Sequence, residues 1–325
     1  MKLKKEYIPH LVLITLSLIL FATAIYKLYS WNSNTLDELP GDDSRILADV
    51  ESEDYIVPMN PTHLVNWEDD GITTIVMLGN ELLTQPKDST SIPSQLASQL
   101  DATIYNCAFP DTSVSSLSKG SMEDDLTEVF SLNWVINALC AQNFSILENT
   151  LANHDDVDPI YQEHLDLLQS IDFQLVDVLI MSYSPTDYLQ GRVIADFDNP
   201  YSYESYATAF ETAILMLKDY YPHIRIIFVE PTFCTFLNEE GELVGSDLTN
   251  TGYGRSTHYM VAVKHLSVKN STSFLDNFYG MPIDATNYTQ YLEDGIHPNS
   301  HTRTLLAERI ANVLNASNNI SSKDA

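Results

Sequence analysis

The stretch Asp294-Gly295-Ile296-His297-Pro298-Asn299, near the end of the chain, is the most informative segment of this sequence. A carboxylate three residues before a histidine can prepare the imidazole for proton transfer, because it accepts from one ring nitrogen and fixes the tautomer. Apolar residues recur at helical spacing over 305–314, which predicts an amphipathic helix directly after the stretch. The alternative interpretation is a helix-entry turn, in which Asn299 caps the helix and His297 is incidental.

Upstream of this stretch, short apolar runs alternate with helical patterns. The runs are typical of parallel strands buried on both faces, and we expect strands at Thr73–Leu78, Thr103–Cys107, Val176–Met181, Ile224–Val229 and Ser273–Leu275. We expect helices at Ile92–Leu100, over most of Ser113–Ala152, at Pro159–Ser170, Tyr203–Tyr221 and Gly254–Val268, and after Pro298. This alternation predicts an α/β fold with a doubly wound parallel sheet and a functional site at its C-terminal edge.

The final stretch and the first predicted strand resemble conserved blocks of the SGNH, or GDSL-type, hydrolases. The resemblance spans residues 72–315 and implies a flavodoxin-like three-layer α/β/α sandwich with a five-stranded parallel sheet, and an activity on esters. In that family the first strand ends in Gly-Asp-Ser, whose serine is the nucleophile. Here the strand ends Gly79-Asn80-Glu81, so the resemblance places Glu81 at the nucleophile position. A carboxylate that attacked an ester would form an anhydride, so Glu81 cannot replace serine in the same mechanism.

Two further family blocks supply the oxyanion hole, and both are altered in this chain. In Asn106–Ser113, Asp111 takes the place of a glycine whose N–H points at the developing oxyanion. In Ser184-Pro185-Thr186-Asp187, Thr186 replaces an asparagine whose side chain completes the hole. Loss of one oxyanion donor costs about 10²–10³ in rate. The resemblance therefore indicates a catalytically degenerate member in which only Asp294 and His297 are retained.

Family geometry would bring Glu81 opposite His297, with Asp111, Asp187 and Asp294 nearby. Such a site suits an ion pair, a cationic or sugar ligand, or a divalent ion, and the plainest interpretation is a Glu81–His297 pair that fills the former catalytic position. The other interpretation is a displaced nucleophile, for which the hydroxyl residues near strand ends are Thr84, Ser89, Ser113 and Ser184. No Cys-x-x-Cys or His-Glu-x-x-His motif is present, so we predict no metal and no cofactor.

The N-terminus predicts a membrane anchor. Three lysines within the first five residues precede the apolar run Leu11–Tyr26, which predicts a single pass with the C-terminal domain outside the cytoplasm. Ala22-Thr23-Ala24 is a candidate signal-peptidase site, and cleavage after Ala24 would make the protein secreted. Apolar residues continue beyond that site, enough to complete a span of roughly 20 residues, so we favour an uncleaved anchor.

The charge of the chain excludes one class of partner. The chain holds 16 basic and 45 acidic residues, a net charge of −29. Residues 1–31 hold four lysines and one glutamate, so the remainder holds 12 basic and 44 acidic residues, a net charge of −32. Such a body would repel nucleic acid phosphates and suits solvation outside a cell. Three cysteines form no disulfide framework.

These patterns together predict four segments. They are a cytoplasmic stub and anchor over 1–31, an acidic stalk over 32–70, an SGNH-like domain over 71–315, and a disordered tail over 316–325. By resemblance, anchored members of the family work beside membrane-bound O-acyltransferases that modify cell-wall or exported polysaccharides. We therefore expect an accessory role in polysaccharide acylation or deacylation. The alternatives are an active carbohydrate or lipid esterase with a displaced nucleophile, and a pseudoenzyme that binds a glycan ligand.

Overall fold

Five apolar segments form the strands of one parallel sheet. They are β1 (Thr74–Gly79), β2 (Thr103–Asn106), β3 (Val178–Ser182), β4 (Arg225–Val229) and β7 (Ser273–Leu275). Their spatial order is β2-β1-β3-β4-β7, and every neighbouring pair is parallel. All residues of β1, β3 and β4 are buried, which explains their nearly continuous apolar sequence. The predicted parallel sheet is confirmed, and each predicted strand end lies within two residues of the observed one.

The computed structural model describes residues 52–57, 70–121, 123–196, 198–199 and 202–321. A two-stranded antiparallel hairpin, β5 (Thr235–Leu237) and β6 (Leu243–Gly245), follows β4. The helices are α1 (Glu81–Thr84), α2 (Ile92–Gln99), α3 (Leu126–Val129), α4 (Leu132–Ala141), α5 (Ser145–Asn153), α6 (Ile160–Ser170), α7 (Thr186–Leu189), α8 (Tyr206–Tyr220), α9 (Ser256–Lys269), α10 (Asn277–Gly280) and α11 (Ser300–Ser321).

The longer helices form two groups. Helix α2, which connects β1 to β2, packs against α11, whereas α8 packs against both α4 and α9. The β1-to-β2 connection runs along the sheet in the opposite direction to the later connections. Because such crossovers are right-handed, the two groups lie on opposite faces of the sheet. The direction reverses between β1 and β3, which is where ligands bind in open α/β sheets.

The prediction of a mostly helical segment from Ser113 is wrong for its first part. The described residues from 113 to 125 form turns and bends, and the helices begin at Leu126. Side chains hold the non-helical backbone: Asp187 accepts from the N–H groups of Val114 and Ser115, and Asp124 accepts from that of Lys119. Carboxylates that bind local N–H groups compete with helix formation, and the pattern of apolar residues gave no sign of this.

Several predicted segments are described only in part. The predicted anchor and most of the stalk lie outside the described residues, and no described helix is long and apolar enough to cross a bilayer. Within the predicted stalk, Tyr55 exchanges two backbone hydrogen bonds with Phe274 of β7, so residues 52–57 lie along the edge of the sheet. Helix α11 continues to Ser321, beyond the predicted domain end. The three cysteines are free and buried.

Candidate functional site

The candidate site begins where β1 ends, at Gly79. A Cβ atom on Gly79 would lie 1.9 Å from the carbonyl oxygen of Ser182, so only glycine lets β1 and β3 approach this closely. Asn80 and Glu81 follow directly, and Glu81 opens the short helix α1. Because β1 and β3 are neighbours, these residues face Ser184, which follows β3.

Asn80 joins the blocks at the ends of three strands. Its side chain is fully buried, and Nδ2 lies 2.9 Å from the carbonyl oxygen of Thr112, 2.9 Å from Oγ of Ser184 and 3.2 Å from Oγ1 of Thr186. Its Oδ1 accepts from the N–H of Ser184 at 2.9 Å. An aspartate at this position would offer only acceptors when ionised, so the amide fits the partners that surround it.

The carboxylate of Glu81 is held from several sides. Oε1 accepts from the hydroxyl of Ser184 in a short contact, and Oε2 accepts from the backbone N–H of Asp111 at 3.1 Å. Nε2 of His297 lies 3.7 Å from Oε1, an ion-pair distance longer than a hydrogen bond. Burial raises the pKa of Glu81, but its interactions with His297 and Ser184 outweigh burial and hold the pKa below the usual value. Glu81 is therefore an anion in the folded protein at neutral pH.

His297 carries a proton between two carboxylates. Nδ1 lies 2.6 Å from Oδ2 of Asp294, and the backbone N–H of His297 donates to Oδ1 of the same carboxylate at 2.8 Å. Glu81 makes the largest contribution to a raised pKa of His297; burial opposes it, Asp294 adds to it, and the pKa reaches about 9. An imidazole that stays protonated at neutral pH cannot accept a proton from a nucleophile, so His297 is unsuited to act as a general base there.

The other predicted site residues lie in different surroundings. Asp111 has a left-handed backbone with φ of 57°, and its N–H is engaged by Glu81. Thr186 lies beside Asn80 and Ser184. Asp187 is buried, and its carboxylate accepts from Val114 N, Ser115 N and the hydroxyl of Ser115. The structure thus brings Glu81, His297, Asp294 and the N–H of Asp111 together, whereas the carboxylate of Asp187 supports a neighbouring loop.

Of the four hydroxyl residues that we considered as displaced nucleophiles, one lies in the site. Ser184 contacts Glu81. The hydroxyl of Ser113 donates to the carbonyl oxygen of Ser115, and Thr84 is buried with no partner for its hydroxyl among the described residues. Ser89 is exposed in the loop between α1 and α2.

A cavity beside His297 is bounded by a residue that sequence reasoning missed. The volume of the cavity is about 420 Å³, which includes the part that opens to solvent. Ser184, Glu230 and His297 contribute to its wall. Glu230 follows β4 directly and is only 4% exposed. Its position after the fourth predicted strand is the same signal that singled out Asn80 and Ser184, so the strand-end rule would have found it. Among the described residues, no group of three or more His, Cys, Asp or Glu side chains is placed to hold a metal ion.

No protein-family model and no curated protein matches the chain. Among solved structures, one crystal structure matches this chain at 16% sequence identity and a TM-score of 0.52. The match covers 77% of this chain and 99% of the other protein's chain. A protein from Lactobacillus plantarum matches at 12% sequence identity and a TM-score of 0.51, and the match covers 75% of this chain and 97% of that protein's chain. A protein assigned to the SGNH hydrolases, from Slackia heliotrinireducens, also matches, at 16% identity and a TM-score of 0.40, covering 75% and 99%. At such identities, what this chain is shown to share with the first two of these structures is the fold, an α/β domain built on a five-stranded parallel sheet.

Proposed function

We propose that this protein is a catalytically degenerate SGNH-like protein of the cell envelope. In this proposal it is anchored by its N-terminal segment and acts as an accessory in the acylation or deacylation of a cell-wall or exported polysaccharide. The observation that carries the proposal is the placement of Glu81: its carboxylate stands at the nucleophile position of the resemblance and accepts from both Ser184 and the N–H of Asp111.

Three consequences of this placement argue against ester hydrolysis by the family mechanism. The carboxylate offers no hydroxyl nucleophile. It engages the Asp111 N–H, which would otherwise be available to an oxyanion, and its negative charge would repel that oxyanion. It also keeps His297 protonated, so His297 is not available as a general base at neutral pH.

A second candidate function is an active carbohydrate or lipid esterase that uses Ser184 as a displaced nucleophile. The short contact between the hydroxyl of Ser184 and Oε1 of Glu81 favours it, since a carboxylate can accept a proton from a serine. The low pKa of Glu81 makes that carboxylate a weak base, and we therefore rank this function second.

The test of degeneracy is turnover of p-nitrophenyl acetate by the full-length protein. We expect a rate equal to that of a buffer blank, and no restoration in Glu81→Ser, because Asp111 and Thr186 remain at the oxyanion positions. Hydrolysis by the parent protein that is lost in both Ser184→Ala and His297→Ala would instead establish the second candidate.

The accessory role is tested in the producing cell. Deletion of the gene should change the ester-linked acyl content of a surface polysaccharide: a fall would indicate a role in acylation, a rise a role in deacylation, and no change would contradict both. The parent chain and His297→Ala should each restore the original content. Restoration by the parent alone would mean that proton transfer by His297 is required. Purification of the tagged full-length chain from membranes should recover a membrane-bound O-acyltransferase, and its absence would count against that partner.

The anchor is tested by topology. Protease added to intact spheroplasts should remove the body of the protein while leaving the first residues protected. Full protection of the body would contradict the proposed orientation.

A further inference from the structure

A second cavity shares Glu230 with the first and has aromatic walls. Its volume is about 320 Å³, which includes the part that opens to solvent. Ser184 and Glu230 belong to both cavities. The aromatic residues of its wall are Tyr183, Tyr188, Tyr206, Phe228 and Tyr259. Among the described residues, no Lys or Arg contributes to the wall of either cavity, and His297 contributes only to the first.

One carboxyl oxygen of Glu230 lacks a hydrogen-bond partner in the described part of the chain. Its Oε2 is buried without a hydrogen bond, although the side chain lies in the wall of both cavities. A buried carboxyl group without a partner is costly, and natural structures rarely leave one unexplained. Burial, with the nearby Asp276, raises the pKa of Glu230 well above its usual value. Burial therefore favours the protonated acid, and a group that brings positive charge into the cavity would favour the carboxylate instead.

Aromatic side chains in the wall of this cavity pack against each other at steep angles. The rings of Tyr188 and Tyr259 have centroids 5.8 Å apart at 74°, and those of Tyr206 and Tyr259 are 5.2 Å apart at 59°. Tyr206 lies close enough to Glu230 that the carboxylate contributes, after burial, to the raised pKa of the phenol. Ring pairs at these distances and angles are ordinary aromatic packing, and a ring face that borders the cavity attracts a cation.

We propose that this tyrosine-lined cavity binds the ammonium group of a small organic cation, with the carboxylate of Glu230 as its counter-ion. A cation satisfies both features at once, since it neutralises the buried carboxylate and contacts the aromatic rings. The site is independent of the proposed loss of ester hydrolysis, and it gives the protein a ligand that the Glu81–His297 pair does not select.

The experiment measures thermal unfolding of the full-length protein with methylammonium chloride and tetramethylammonium chloride, each against sodium chloride at equal ionic strength. A ligand that binds only the folded state raises the midpoint with concentration. We expect a rise beyond the sodium control that saturates with at least one of the two cations. Comparison of the midpoints with the two cations tells whether a cation with N–H donors or one with only methyl groups fits the cavity better. Either result supports the site.

Variants locate the binding. Glu230→Gln should abolish the ammonium-dependent rise, and Glu230→Asp should weaken it, which keeps the test valid if the first variant fails to fold. The exposed Glu148→Gln is the matched control and should retain the full rise. A rise lost in Glu81→Gln but kept in Glu230→Gln would place the cation at the first site and overturn the proposal.

Two other outcomes would also overturn it. One is equal behaviour of ammonium and sodium salts, which would make Glu230 a buried acid with no ligand. The other is a saturable rise with glucose but with neither cation, which would indicate a neutral ligand. None of these outcomes bears on ester turnover, so failure here and failure of the proposed degeneracy are distinguished.

Discussion

Nε2 of His297 lies 3.7 Å from Oε1 of Glu81, so the imidazole at the end of the sheet faces a carboxylate. Asp294 engages the other ring nitrogen at 2.6 Å. Two anions on either side of one imidazole stabilise its charged form. The Asp294–His297 pair has the form of a general-base dyad, but with Glu81 on the other side of the ring His297 stays charged and holds its proton.

The first prediction concerns the titration of His297, whose pKa is raised to about 9. Glu81→Gln keeps the shape of the side chain and removes one charge, so it should lower the pKa of His297. Histidine NMR signals followed against pH measure this directly. An unchanged His297 titration in Glu81→Gln would mean that the two side chains do not interact.

The same pair predicts how stability depends on pH. A histidine whose pKa is higher in the folded than in the unfolded protein adds stability that is fully present below the unfolded value of about 6.5. That contribution is lost as the pH rises through the folded value of about 9. Urea unfolding of the parent should therefore show a fall in the free energy of unfolding across this window that is smaller in His297→Gln. Parallel curves for the two proteins would contradict the prediction.

Much of this fold is predictable from the sequence because the strands are buried on both faces. Residues 74–79 and 225–229 read as continuous apolar or nearly apolar runs, and the structure places them within two residues of the prediction. The hairpin β5–β6 was not predicted, because each of its strands has only three residues and is partly exposed. Such short segments carry too little alternation to stand out.

The candidate site was predictable to the extent that it lies at strand ends. Asp294 and His297 were singled out by their spacing and by the segment around them, and Glu81 by the resemblance of the first strand end to the Gly-Asp-Ser block. The contact between Glu81 and the N–H of Asp111 was not predictable, because it depends on the left-handed backbone of Asp111. Glu230 was missed although it also follows a predicted strand, and only its burial and its unpaired Oε2 required the structure.

A third prediction concerns Asn80, whose Nδ2 lies near the carbonyl oxygen of Thr112 and two hydroxyls. Asn80→Asp places a carboxylate where donors are needed and leaves the Thr112 oxygen without its partner. We expect a loss of about 1–3 kcal/mol in the free energy of unfolding at pH 8. The loss should be smaller at pH 5, because a protonated aspartate can donate. Asn143→Asp is the matched control: this exposed side chain is an acceptor for Ser145 N–H, a role that aspartate also fills. Equal, small effects for both variants would contradict the role of Asn80.

A fourth prediction concerns the close approach of β1 and β3 at Gly79. Its added Cβ would meet the backbone oxygen of Ser182 at 1.9 Å, and a backbone atom cannot move aside as a flexible side chain does. Gly79→Ala should therefore destabilise the protein by about 3 kcal/mol or more. Gly241→Ala is the control, since nothing lies within 4 Å of its added Cβ and its φ is +78°; it should cost only about 1 kcal/mol of backbone strain. Denaturant midpoints compare the two, and similar losses would refute the steric argument.

We propose that no hydroxyl group among the described residues is an activated nucleophile, and labelling with a fluorophosphonate tests this proposal most directly. The reagent is applied to the folded full-length protein and to a heat-denatured sample, and labelled peptides are identified by mass spectrometry, with an active serine esterase as the positive control. Our account predicts that no serine or threonine of the folded protein is labelled beyond the denatured level, because Glu81 fills the nucleophile position and His297 holds its proton. Stoichiometric labelling of Ser184, or of any other hydroxyl residue, that disappears in His297→Ala would contradict it.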